Sequence, residues 1–346
     1  MTYDSVVVIG ASAGGIDALK LIAEKLPADL AAPVLVVMHV SPDSPGYLPE
    51  ILAGCGPLPA ANARSGDILR NGMIYVAPPD RHLLVESNGR IRTPRGPREN
   101  RSRPAIDPLF RSVALGFGSR GIGVILSGML DDGATGLRGI KLCGGTTIVQ
   151  DPVDAIVDSM PLSALRSVTV DYCRPASEIG PLIARLTKTR KLRTDVVMEE
   201  SMRRQLETEV AIARDASDAA AIMEFGTPST FTCPECHGAL LKLRGQRPLR
   251  FRCHTGHAFT ADSLLAELNG ATDQVVWDAV RAIQEGAMLL THLAEHWEGV
   301  DPTVAERYRG QVGAALHRAD LIRQTIMEDE PVSRTHATSE LIESSA

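Results

Sequence analysis

A serine at position 12, a histidine at 39 and an aspartate at 132 each stand just past an apolar run of strand length. Gly10-Ala11-Ser12-Ala13-Gly14 follows the run at 5–9, His39 closes Val36-Val37-Met38, and Asp131-Asp132-Gly133 follows Leu126-Ser127-Gly128-Met129-Leu130. Parallel strands in an open α/β sheet bring their carboxyl ends to one edge, where such folds bind and react. A hydroxyl, an imidazole and a carboxylate converging there are the parts of a nucleophilic hydrolase. Glycines at 10 and 14 give the serine's turn room, because larger side chains would clash with a neighbouring strand or helix. The same loop could cradle a dinucleotide, but that fingerprint needs glycine where Ser12 stands and an acidic residue where His39 stands. A lone histidine is more often structural; here pairing of the first two strands would set it beside Ser12. Paired aspartates in a glycine-rich turn can cap a helix or ligate a metal, and one of them can instead hold the His39 ring.

A second constellation lies far downstream. Cys233-Pro-Glu-Cys236 and Cys253-His-Thr-Gly-His257 are separated by sixteen residues with two strand-like runs. Two such knuckles supply four ligands, Cys233, Cys236, Cys253 and His257, which suit a closed tetrahedral zinc site of structural type. His237 and His254 compete for the fourth place. Catalysis by the serine site needs no cofactor. The stretch between the knuckles is basic (Lys242, Arg244, Arg247, Arg250, Arg252), which raises nucleic acid as a ligand of the ribbon. Phe251 is the one stacking residue among them, so protein docking is the better expectation. Cys55, Cys143 and Cys173 read as small buried hydrophobes.

The elements that must position these groups follow from periodicity. Buried strands at 5–9, 32–38, 121–126 and 146–149 alternate with amphipathic helices at 14–26, 108–116, 133–142 and 161–165. Short strands are expected at 73–77, 83–87 and 168–172, and a short helix at 47–52. This alternation, with apolar strand interiors, predicts an α/β fold: a doubly wound, mostly parallel sheet with helices on both faces. Asp107 is placed to favour the start of the 108–116 helix. The expected organisation is a catalytic domain over 1–190, a linker helix over 191–230, a zinc ribbon over 231–265 and an α-helical hairpin over 270–330. Val276, Val280, Ile283, Ala287, Leu290 and Ala294, then Val304, Tyr308, Val312, Ala315, Ala319, Ile322 and Ile326, mark the facing stripes of that hairpin. The polar last dozen residues are expected to be disordered.

With 346 residues, 44% hydrophobic and 23% charged, the chain has the composition of a soluble globular protein with more than one domain. A net charge of −6 argues against nucleic acid as the main partner. Apolar runs fall well short of the roughly 20 residues a membrane span needs, so no membrane insertion is expected. The first strand opens at Ser5, which leaves no room for a leader and predicts a cytoplasmic protein.

From Ser5 to Leu186 the sequence resembles the catalytic domain of the chemotaxis protein-glutamate methylesterases, the CheB family. The resemblance includes Gly-Ala-Ser and His39, Tyr75-Val76-Ala77-Pro78 with His82, Gly96-Pro97-Arg98-Glu99-Asn100-Arg101-Ser102-Arg103-Pro104, and Asp107 with Leu109-Phe110. It continues through Ser127-Gly128-Met129, Asp132-Gly133-Ala134 with Gly136, and Met160-Pro161. It implies that Ser12, His39 and Asp132 form the triad and that backbone N–H groups near Ala13 and Met129 hold the oxyanion. It also implies hydrolysis of glutamate γ-methyl esters, and deamidation of glutamine, on chemoreceptor-type signalling helices. Asp131 stands where relatives often have asparagine, and Ala13 where they have threonine. Chemotaxis members begin with a receiver domain, which this sequence is expected to lack; its control would then come from the carboxyl-terminal half, docking other chemosensory proteins. Six arginines between 90 and 103 form a candidate steering patch for acidic receptor helices, with Arg98, Arg101 and Arg103 closest to the motif. His82 either lines the cleft or caps a turn, the latter preferred. The competing reading is a non-catalytic chemosensory scaffold with a ribbon docking module.

Overall fold

The structure, a computed structural model, describes residues 3–189, 198–215, 220–245 and 247–328. Arg190 and the basic start of the expected linker at Lys191 and Arg193 lie outside the described residues, as does the polar carboxyl terminus.

Seven parallel strands form the central sheet: β1 (Val6–Ala11), β2 (Val34–Met38), β3 (Ala60–Asn62), β4 (Ile74–Val76), β7 (Gly121–Ile125), β8 (Thr146–Gln150) and β9 (Tyr172–Arg174), in the order β3-β4-β2-β1-β7-β8-β9. The short hairpin β5 (Leu84–Val85) and β6 (Ile91–Arg92) lies outside that sheet. Helices α1 (Gly15–Lys25), α2 (Leu48–Cys55) and α6 (Ala176–Thr189) line one face; α3 (Ile106–Phe117), α4 (Ala134–Leu142) and α5 (Ser159–Ser167) line the other. Alternation along β1 divides the core: Val7, Ile9 and Ala11 join the cluster with α1 and α6, while Val6 and Val8 join the one with α3 and α4. Every residue of β1, β2, β7 and β8 is buried, as a sheet covered on both sides requires. The chain runs from β1 outward through β2 and β4, then returns to β7 on β1's other side. The crevice at this reversal is where open α/β sheets place their sites.

The segment expected to be a linker forms α7 (Glu200–Ala213) and the short α8 (Ala220–Met223). Helix α7 is packed rather than free, burying Leu206, Val210 and Ala213, with Leu206 in the core that includes α3. The ribbon is a four-stranded antiparallel sheet of β10 (Gly226–Thr232), β11 (Ala239–Leu243), β12 (Arg250–Cys253) and β13 (Ala258–Thr260). Residues up to Leu264 form one compact unit, so the ribbon belongs to the same body as the catalytic sheet.

Residues from Leu265 form the second unit. It contains most of α9 (Ala261–Glu298) and all of α10 (Pro302–Glu328). Its buried positions, Val280, Ala287, Ala294 and Ala319, fall on the expected stripes, with Ala305 added. The Asp301 side chain accepts from the Thr303 and Val304 N–H groups at the start of α10. Among the described residues no helix is long and apolar enough to cross a membrane.

Candidate active site

Ser12 leaves β1 on a tight turn into α1. Gly14 takes the left-handed φ of 73°, and a Cβ there would lie 2.6 Å from that of Ile156. Gly10 passes so close to α3 that a Cβ would lie 2.4 Å from Ile106. Parallel pairing of β1 with β2 matches Ala11 to Met38, and the His39 N–H donates to the Ala11 carbonyl, so His39 arrives beside Ser12. Its Nδ1 lies 3.2 Å from Ser12 Oγ, and its Nε2 lies 2.7 Å from Asp132 Oδ2. Because a carboxylate accepts, Nε2 carries the proton and Nδ1 is left to accept from the serine hydroxyl. The ring nitrogens are therefore used in the opposite sense to the familiar serine-protease triad, with the same division of roles.

The Asp132 carboxylate is 2% exposed but well supplied with donors. Oδ2 accepts from the Ile106 N–H at 2.7 Å; Oδ1 accepts from Asn100 Nδ2 at 2.9 Å and the Asp107 N–H at 3.2 Å. Ile106 and Asp107 open α3, so the carboxylate caps that helix at its positive end. Burial works to raise its pKa, but the hydrogen bond and charge of His39, with the Ile106 and Asn100 donors, outweigh it and hold the carboxyl below the ordinary value. Asp107 lies in the first turn of α3 as expected, and its carboxylate turns to α4, where it accepts from Thr135 Oγ1 at 2.5 Å and the Gly136 N–H at 2.6 Å. Its own helix start is already taken by Asp132. Burial and the neighbouring Asp132 charge raise Asp107's pKa.

The Ser12 N–H donates to the Ser127 carbonyl and the Gly128 N–H to the Val157 carbonyl, which fixes the two loops flanking the serine. Among the described residues the Ala13 and Met129 N–H groups find no acceptor. Beside His39 an apolar hollow is lined by Ile16, Met38, Val40, Tyr47, Ile51 and Pro79.

Residues 7–183 match the CheB methylesterase family over half of the chain. The chain belongs to the CheB methylesterase family. A relative from Leptospira interrogans is 40% identical over 186 residues, covering 54% of this chain and 96% of its own length. A protein of Anaeromyxobacter dehalogenans named protein-glutamate methylesterase/protein-glutamine glutaminase 3 is 44% identical over 180 residues, and the match covers 53% of it. The crystal structure of the Thermotoga maritima CheB methylesterase catalytic domain aligns with TM-score 0.50 at 34% identity, covering 53% of this chain and 98% of that one. The sheet with its flanking helices is thus the CheB catalytic fold, and the ribbon and hairpin lie beyond the family match.

Around this CheB core, the family-motif loop is held from several sides. Arg103 donates to Asp80 Oδ1 through Nε at 2.8 Å and Nη2 at 2.6 Å, and to the Gly96 carbonyl; Arg98 reaches Glu235 of the ribbon at 3.4 Å. Both are held in ion pairs, Arg103 in a part-buried one and Arg98 with its side chain 38% exposed. His82 is fully buried, donating from Nε2 to the Pro97 carbonyl and accepting the Ala105 N–H at Nδ1; burial lowers its pKa and keeps the ring neutral. It braces the loop, close to the turn-capping role expected.

The four expected metal ligands come together, their ligand atoms all within 4.8 Å of one another, and His237 and His254 are not among them. Cys236 Sγ and Cys253 Sγ lie 3.7 Å apart, and His257 Nδ1 lies 3.7 and 3.6 Å from Cys233 and Cys253. A tetrahedron with metal–sulfur bonds near 2.3 Å has edges of about 3.8 Å, so the spacing fits zinc.

Two arginines expected on a basic ribbon surface are buried instead. Arg250 and Arg252 are each 1% exposed and reach into the catalytic domain. Arg250 donates to both Glu209 oxygens at 2.8 Å, and Arg252 to Glu99 at 3.1 Å. Arg111 of α3 joins both carboxylates, at 2.5 Å to Glu99 and 3.1 Å to Glu209. The sequence names Glu99 and Asn100 only within the family motif and Arg250 and Arg252 only within a basic stretch, and it singles out neither Arg111 nor Glu209.

Asp131, 1% exposed, accepts from Thr260 Oγ1 at 2.6 Å. Burial pushes its carboxyl up to about 7, against that hydrogen bond and with the charges of Asp262, Asp107 and Asp132 adding. A carboxyl raised in the fold contributes stability that is fully present below about pH 4, its ordinary pKa, and is lost at roughly 1.4 kcal/mol per unit as pH rises toward 7. Asp131→Asn, which does not titrate, is expected to be the more stable protein at pH 8, with the difference closing near pH 4. Denaturant unfolding at the two pH values checks this; a difference independent of pH refutes it.

Proposed function

We propose that this chain is a protein-glutamate methylesterase that hydrolyses γ-methyl esters on chemoreceptor-type helices and deamidates glutamine at equivalent sites. The observation that carries the reading is the unbroken relay from Ser12 Oγ through His39 to a buried, donor-supplied Asp132 at the sheet's switch point. His39 Nδ1 takes the hydroxyl proton as Ser12 Oγ attacks the ester carbonyl. The carbonyl oxygen becomes an oxyanion facing the Ala13 and Met129 N–H groups. Collapse breaks the bond to the methoxy oxygen, which leaves as methanol with the proton from His39. Water then attacks the acyl-serine, giving its proton to His39, and the glutamate carboxylate departs as Oγ is reprotonated. With a glutamine side chain the same attack releases ammonia. Asp132 stabilises the imidazolium in each half. The apolar hollow beside His39 gives a receptor helix a surface to rest on.

The test is methanol release from a methylated receptor cytoplasmic fragment by the full chain. Release that depends on Ser12 is expected; no release from a fragment known to be methylated overturns the reading.

The same proposal assigns one zinc ion to Cys233, Cys236, Cys253 and His257. The ribbon's own apolar cluster is small, centred on Leu240, Phe251 and Phe259, so metal binding would supply much of its folding energy. Elemental analysis is expected to give one zinc per chain, with the three thiols protected from alkylation until it is removed. Metal-free protein with freely reactive thiols refutes the assignment.

A further inference from the structure

Strand β13 begins immediately after the expected ligand His257 and does two things at once. Its first residue extends onto the family-motif loop: the Asn100 N–H donates to the Ala258 carbonyl at 2.8 Å, and the Ala258 N–H to the Arg98 carbonyl at 3.2 Å. Its last residue, Thr260, donates its N–H to Asn100 Oδ1 at 3.1 Å and its hydroxyl to Asp131 Oδ1 at 2.6 Å. The other end of the Asn100 amide donates to Asp132 Oδ1 at 2.9 Å and to Asp107 Oδ2 at 3.2 Å. The Asn100 side chain thus spans the ribbon and the triad carboxylate, and it is 5% exposed.

Asn100 and Arg101 both have left-handed φ, 49° and 68°. Two successive non-glycine residues in that region persist only when their surroundings hold them there. β13 and Thr260 are part of those surroundings. Thr260 is in turn fixed by a reciprocal cap, its hydroxyl accepting the Ser263 N–H while its own N–H reaches Ser263 Oγ at 2.9 Å. The other end of β13 runs straight into the 253–257 knuckle, which is closed by the Cys253 N–H donating to the His257 carbonyl at 3.0 Å.

We propose that the ribbon is a working part of the esterase: metal at the knuckles sets β13, and β13 acts through Asn100 to hold Asp132 where His39 needs it. Asn100 is a positioning residue, and loss of zinc lowers turnover without touching Ser12 or the substrate surface. This rests on the triad reading above. A hydrogen bond to a charged acceptor that aligns a catalytic group is worth about 10- to 100-fold in rate.

The experiment uses the full zinc-loaded chain, the same chain after chelation and after zinc is restored, and Asn100→Gly, all on the methylated receptor fragment. Glycine removes the amide yet accepts the left-handed backbone. The expected result is kcat about 10- to 100-fold lower for Asn100→Gly, with KM within about twofold and zinc content unchanged. Chelation should lower kcat at least as much, reversibly. Ser12→Ala runs beside them: wild-type turnover that survives it means the triad reading has failed. Amide hydrogen exchange at Asn100 and Arg101, with and without zinc, reads the ribbon-to-loop link without any turnover. Faster exchange on zinc removal supports the link. Unchanged exchange, or Ser12-dependent turnover indifferent to both Asn100→Gly and chelation, overturns the proposal.

Discussion

Ser12→Ala is expected to lower ester turnover by about 10⁴- to 10⁶-fold while leaving unfolding transitions and zinc content as in the parent. The size follows from what is removed. Oγ is the atom that would bond to the acyl carbon, and without it water must attack unaided by a nucleophile already within 3.2 Å of its base. Folding should survive because alanine keeps the serine's backbone ties, its N–H given to the Ser127 carbonyl and its carbonyl accepting from the Gly15 N–H. His39→Ala should cost nearly as much, and the double variant little more than either single one, because residues acting as a unit are not additive. Steady-state methanol release, with the background rate of the fragment subtracted, checks all three. Turnover of Ser12→Ala within tenfold of the parent would show that the relay does not perform the reaction.

The parts of this site that could be read in the sequence were those fixed by short-range pattern. Strands β1, β2 and β7 are apolar throughout because both their faces are covered, so their ends, and with them Ser12, His39 and Asp132, could be placed. The short edge strand β3, Ala60–Asn62, and the two-residue β6 carry too little apolar character to register, and β10 is largely polar and exposed. β9 begins at Tyr172, later than the apolar run at 168–170 suggests, because Asp171 is engaged by Thr147 and Lys141. The ribbon's Cys/His cluster was legible from the two knuckles, but its attachment was not. Arg252 and Glu99 are 153 positions apart, and nothing local distinguishes an arginine that will be buried against a distant carboxylate from one that faces solvent. A basic stretch without its partners looks like a surface.

That attachment predicts the second large effect: Glu99→Gln should destabilise the unit up to Leu264 by about 3–5 kcal/mol at neutral pH, the usual cost of breaking a buried ion pair from one side. Glu99 is 1% exposed and faces Arg111, Arg250 and Arg252 together. The amide is the same size but neutral, and one of its two ends is a donor pointed at donors. Three buried guanidiniums would then share Glu209, with Asp107 at 3.9 Å from Arg111 as the nearest further carboxyl. The pH dependence has a definite sign. Burial works to raise the Glu99 pKa, but the three arginines and the Arg111 hydrogen bond hold it far below the ordinary glutamate range. A carboxyl depressed in the fold contributes stability that is complete above its unfolded value, about 4.3, and is lost as pH falls through the folded value. The gap between parent and Glu99→Gln should therefore be flat from pH 8 to about 5 and narrow below pH 4, where Glu99 of the unfolded parent takes up a proton that the folded carboxylate still refuses. Because Asn100 is the next residue, the variant should also lose turnover, through displacement of the loop that carries the Asp132 donor. Guanidinium unfolding at pH 7 and at pH 3.5 measures the gap directly. A neutral-pH loss under 1 kcal/mol, or a gap that widens in acid, would mean the cluster does not fasten the ribbon to the catalytic sheet.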